Sequence, residues 1–103
     1  MCLYMAEIDI TKNIRLIELL KSDMLSQTAG LFEELLRPGP LQPREERLSK
    51  LIVSSYLLSA RIGSSYEQLD EKIADDLRLL LLDHRAAWDK EDIGGLLKHI
   101  ENR

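Results

Sequence analysis

Leu48-Ser49-Lys50-Leu51-Ile52-Val53-Ser54-Ser55-Tyr56-Leu57-Leu58-Ser59-Ala60-Arg61-Ile62-Gly63-Ser64-Ser65-Tyr66-Glu67 reads as the end of one long helix, a turn, and the start of another. Leu48, Leu51, Ile52, Ser55, Leu58 and Ile62 recur at helical spacing, and Val53, Tyr56, Leu57 and Ala60 widen that stripe to most of the circumference. A helix this apolar needs more than one neighbour. It is either the centre of a bundle or part of a subunit interface, with Leu51, Ile52, Tyr56 and Leu58 as the expected interface residues. Gly63 suits the left-handed position that ends a helix. Ser64-Ser65-Tyr66-Glu67 reads as a capping box that opens the next one.

Working outward, the long helix should begin at Pro43, a good first helical residue, with Glu45 and Glu46 complementing the positive helix start. Pro38-Gly39-Pro40 is the strongest break in the chain. Before it lie two helical stretches, about 10–21 and 23–37. Ser22-Asp23 is the expected joint, because both residues favour caps over helix interiors, yet no Gly or Pro separates the two. After Gly63 a helix runs to about Asp83, with Tyr66, Leu69, Ile73, Leu77 and Leu80 inward. A last one, about 90–101, carries Gly94-Gly95, which cost about 1 kcal/mol each against alanine. That helix should depend on docking, with Trp88 as its anchor. The reading is all-α: a helical bundle of four main helices plus a short C-terminal helix, completed by oligomerisation. It forms a single domain over 1–103, with 1–8 as a flexible N-terminal extension.

Composition narrows the function. Of 103 residues, 45% are apolar and 31% charged, a globular balance. The net charge of −4 argues against nucleic acid as a partner, which needs a basic field. No apolar run approaches the roughly 20 residues of a membrane span; Leu79 to Leu82, for example, is four residues. No secretory signal is legible, so a cytoplasmic location and no membrane partner are expected. Cys2 is the only cysteine and there are two histidines, too few for a Cys/His metal cage.

The candidates for chemistry are few. There is no Gly-x-Ser-x-Gly elbow and no phosphate loop. His84 and His99 sit near helix ends and read as solvated or C-capping histidines. Carboxylates remain. A magnesium site in a helical bundle needs inward acids at i, i+3 or i, i+4 spacing on facing helices. Glu33 and Glu34 before the proline turn could meet Glu45 and Glu46 after it, which makes these four the candidate metal ligands. Against this, Glu45 and Glu46 already serve the helix dipole, Glu67 serves the capping box, and Glu71, Asp75 and Arg78 read as a solvated face.

Three stretches carry a resemblance: Asp9 through Leu20, Leu57 through Asp70 (LLSARIGSSYEQLD) and Asp92 to Ile100. Together they resemble the MazG-like proteins, relatives of the all-α nucleoside triphosphate pyrophosphohydrolases. Ala60-Arg61-Ile62-Gly63 is close to that family's inter-helix turn, one residue shorter than its usual catalytic form. The resemblance implies a bundle built from two-helix hairpins and completed by assembly. For active relatives it also implies magnesium-dependent cleavage of a nucleoside triphosphate, with Glu-x-x-Glu on one helix and Glu-x-x-Asp on the next. This chain departs from both motifs. Ser26 to Leu31 and Arg47 to Leu51 stand where they should fall, and neither segment holds a carboxylate.

The expectation is therefore a MazG-like helical protein with no catalytic residues carried over and no cofactor, acting in self-association as a homodimer or higher homo-oligomer, in partner binding or in nucleotide binding. The alternative is an active magnesium-dependent pyrophosphohydrolase with relocated carboxylate ligands.

Overall fold

The structure is a computed structural model. It describes residues 2–85 and 87–103, with side chains described from residue 9 onward. Four helices follow in order: α1, Cys2–Glu34; α2, Leu41–Arg61; α3, Tyr66–Leu82; and α4, Lys90–Glu101. There is no strand among the described residues, so the chain is all-α, as expected. It divides into two compact units, Met1–Gly63 and Ser64–Arg103, each a pair of packed helices. The extension expected over 1–8 falls on residues whose side chains lie outside the described set.

The two expected N-terminal stretches form one helix, α1, with 33 residues and no break at Ser22-Asp23. Asp23 does not turn back to cap. Its Oδ1 accepts from Gln27 Nε2 one turn ahead (3.2 Å), which ties it into the helix. With no Gly or Pro to interrupt the backbone ladder, two cap-preferring residues are not enough to end it.

Helix α2 starts at Leu41, two residues before the expected Pro43. Proline is tolerated there because the first-turn N–H groups have no intrahelical partner. No side chain caps this start. Arg44 instead secures the other side of the turn, donating Nη2 to the carbonyls of Glu34 (3.0 Å), the last residue of α1, and of Arg37 (2.6 Å) in the turn itself. At the far end, Gly63 takes φ +102° as the sequence requires, and Asn13 Nδ2 donates to the Arg61 carbonyl (3.2 Å).

The apolar stripe of α2 is not simply inward. Ser54 and Ser59 are buried, whereas Leu48, Ile52, Val53, Leu57 and Ile62 are exposed. The helix turns Arg47 and Ser54 toward α1, because both find hydrogen-bond partners there.

In the second hairpin the capping box sits one residue later than expected. Ser65, not Ser64, is the N-cap: its hydroxyl accepts from Gln68 N (3.0 Å), and Gln68 Oε1 accepts from Ser65 N (2.8 Å). Gln68 thus takes the role expected of Glu67, which instead places its charge in the first turn. Ala74, Leu77 and Ile93 form the core. Trp88 is 66% exposed and does not anchor α4. Ile93 docks the helix, Asp89 caps it by accepting from Glu91 N (3.0 Å), and Lys90 Nζ donates to the carbonyls of Leu80 and Asp83 at the end of α3. On the solvated face of α3, the hydrogen bond from Lys72 to Asp76 (2.8 Å) and the Asp76 charge push the ammonium pKa up from 10.5.

Candidate functional site

A row of polar side chains runs between α1 and α2. Asp23, Gln27, Gly30 and Glu34 fall at i, i+4, i+7 and i+11 on one face of α1, and Arg47 and Ser54 at i and i+7 on α2. Ser54 Oγ donates to Asp23 Oδ2 (3.1 Å), and Gln27 Nε2 donates to Asp23 Oδ1 (3.2 Å). Arg47 Nη1 donates to Gln27 Oε1 (3.1 Å), and Arg47 Nε to Glu34 Oε1 (3.4 Å). Gln27 and Ser54 are buried, so each needs these partners to offset its lost hydration.

Gly30 makes room for the centre of this row. A β-carbon on Gly30 would collide with Arg47 Cζ and lie 2.6 Å from Nη1. The guanidinium therefore lies against α1 in the space that the missing side chain leaves. Glu34 accepts through Oε1 alone; its Oε2 is buried and has no hydrogen-bond partner.

Of the four carboxylates proposed from sequence as metal ligands, only Glu34 turns into this row. Glu33, Glu45 and Glu46 are exposed. Among the described residues, no three His, Cys, Asp or Glu side chains group as a metal ion would need. Nor does the row fit magnesium. Its two carboxylates, Asp23 and Glu34, are three turns apart, roughly 16 Å along the axis, and a guanidinium lies between them. Of the expected interface residues, Ile52 is 57% exposed, while Leu51, Tyr56 and Leu58 are half-buried.

Sequence reading missed Asp23, Gln27, Arg47 and Ser54. Two signals could have found them: the glycine inside an uninterrupted helix, which usually marks a close approach, and the matching seven-residue spacings of Gln27–Glu34 and Arg47–Ser54. The cavity at the mouth of this hairpin, about 330 Å³, is lined by Arg37, Arg44 and Arg47 with Glu33 and Glu34.

No curated protein and no solved structure matches the chain. A family model does: the MazG-like family, over residues 10–91. That span takes in about three quarters of α1, both following helices and the opening of α4. It covers the polar row, the Gly63 turn and the Ser65 cap, and by it the chain belongs to the MazG-like family.

Proposed function

We propose that this chain is a catalytically degenerate MazG-like module that works by self-association, pairing its first hairpin with that of a second copy. One observation carries the reading: within Met1–Gly63, both helices leave large apolar side chains in water, among them Ile10, Ile14, Leu25 and Phe32 on α1 and Leu48, Ile52 and Leu57 on α2. Two helices alone cannot enclose a core, and a second hairpin laid against them makes the four-helix arrangement that can. Burying a side chain of this kind contributes about 1.5–3 kcal/mol, so several from each copy together can offset the association cost of about 4–15 kcal/mol and hold two copies together at micromolar concentration.

The polar row supports the reading that catalysis is lost. At the height where the family resemblance would place metal-binding acids, α2 presents Arg47, and its positive charge is already neutralised by Glu34. A divalent cation brought there would meet that guanidinium rather than a set of oxygens.

Sedimentation of the chain between about 1 and 100 μM tests the assembly, with a dimer or higher homo-oligomer expected. A monomer across that range removes it. Pyrophosphate release from a panel of nucleoside triphosphates, with magnesium or manganese, tests the degeneracy on the same sample. Metal-dependent release that is lost in Glu34→Gln or Glu46→Gln would restore the pyrophosphohydrolase reading.

A further inference from the structure

We infer that the mouth of the first hairpin is a binding site for a small phosphate-type oxyanion, held by arginine without a metal ion. This goes beyond self-association and does not depend on it, because every residue involved lies within one hairpin.

The cavity there measures about 330 Å³, room for a phosphate group and part of what it is attached to. Three arginines line it. Arg47 is neutralised by Glu34 (3.4 Å). Arg44 spends Nη2 on the carbonyls of Glu34 and Arg37, and among the described residues no carboxylate compensates its charge and its other nitrogens have no partner. Arg37 has no side-chain partner at all among the described residues. Against these, the remaining carboxylate on the wall is Glu33, which is exposed. The wall therefore carries one positive charge in excess, concentrated on two guanidinium groups with donors to spare. Planar guanidinium groups recognise tetrahedral oxyanions by paired N–H···O bonds. The start of α2, which has no side-chain cap, adds its positive end to the same wall.

A nucleic-acid backbone fits this cavity poorly: the chain is acidic overall, and the cavity holds only three basic groups, Arg37, Arg44 and Arg47. A single phosphate or phosphate monoester suits both the volume and the charge.

The test is a titration with inorganic phosphate at constant ionic strength, chloride replacing phosphate, followed by the amide resonances of Gly30 and Gly39. Saturable shifts are expected. Arg37→Gln should weaken binding about tenfold, the value of one charge-assisted hydrogen bond. Because the Arg37 side chain holds nothing else in place, the variant should fold normally. Glu33→Gln, which removes the opposing charge, should tighten binding, and a purely structural role for this turn would not produce that sign. Arg85→Gln, at an exposed arginine in the other unit, should change nothing. Repeating the titration with a nucleoside monophosphate separates the two sources of the group: tighter binding than inorganic phosphate indicates the ester, equal binding the free ion. Shifts that grow linearly without saturating, or that fall equally in Arg37→Gln and Arg85→Gln, would overturn the site.

Discussion

The guanidinium of Arg47 occupies the volume that a side chain on Gly30 would need. Two positions on different helices therefore constrain each other. Gly30→Ala sets two effects in opposition: alanine favours the helix by about 1 kcal/mol, but it pushes Arg47 off Gln27 and Glu34, and each charge-assisted bond contributes about 1.5–3 kcal/mol when fully made. These bonds are half-exposed and one is long, so the expected net result is a loss of about 1 kcal/mol. In an Arg47→Met background there is no guanidinium bond to lose, and the same Gly30→Ala change should stabilise by about 1 kcal/mol. Urea unfolding of the four proteins of this cycle reads the reversal of sign. Equal effects in both backgrounds would mean that Arg47 does not depend on the gap at Gly30.

Asp23 is the acceptor on which two buried residues depend, Ser54 (3.1 Å) and Gln27 (3.2 Å). Asp23→Ala leaves both donors unsatisfied and should cost about 2 kcal/mol, whereas Ser54→Ala removes one donor and should cost about 1 kcal/mol. The double variant should cost clearly less than the two combined, since Ser54 no longer needs Asp23 once its hydroxyl is gone. Additive losses in thermal or urea unfolding would show that the two side chains act separately.

The contrast between these residues and the helices around them shows what the sequence could reveal. Helical class and most helix boundaries follow from apolar spacing and punctuation. Gly63 needed a positive φ, and Pro38-Gly39-Pro40 needed a turn, so both were legible. The continuity of α1 was not, because a cap preference at Ser22-Asp23 is a local tendency that the surrounding hydrogen-bond ladder outweighs. The polar row was hidden for a different reason. Hydrophobic periodicity assumes that the buried side of a helix is the apolar one, and α2 faces α1 with Arg47 and Ser54 while Ile52 remains exposed. Trp88 misled in the same way, since size and apolarity suggested an anchor where Ile93 supplies it.

The one-residue shift of the α3 cap gives a prediction that separates two adjacent serines. Ser65→Ala removes the hydroxyl that accepts from Gln68 N and should cost about 1 kcal/mol in the stability of the second hairpin. Ser64→Ala should cost close to nothing, because its hydroxyl makes only a long contact with the neighbouring Ser65 carbonyl (3.4 Å). Circular dichroism of the two variants during thermal unfolding distinguishes them. A larger loss for Ser64 would return the box to the Ser64–Glu67 register.

Ile52 and Leu58 lie on the same helix, but their burial assigns them different work. Ile52, at 57% exposed, contributes little to its own hairpin, and under self-association its side chain is buried only in the assembly. Leu58 is half-buried within the hairpin already. Ile52→Glu should therefore weaken association at least tenfold, because it places a charge where an apolar contact forms, while helical content and unfolding temperature at monomer concentrations stay near those of the parent. Leu58→Ala should do the reverse. It should lower the unfolding free energy by about 1–2 kcal/mol, below the range for fully buried leucines because the site is only partly enclosed, and it should leave the oligomer mass unchanged wherever the protein is folded. Sedimentation velocity and thermal unfolding on the same samples read both quantities. If Ile52→Glu leaves the assembly intact, the exposed face of α2 is not the contact between copies. If it unfolds the chain instead, the side chain is buried within the monomer, and the apolar face is covered by the protein itself.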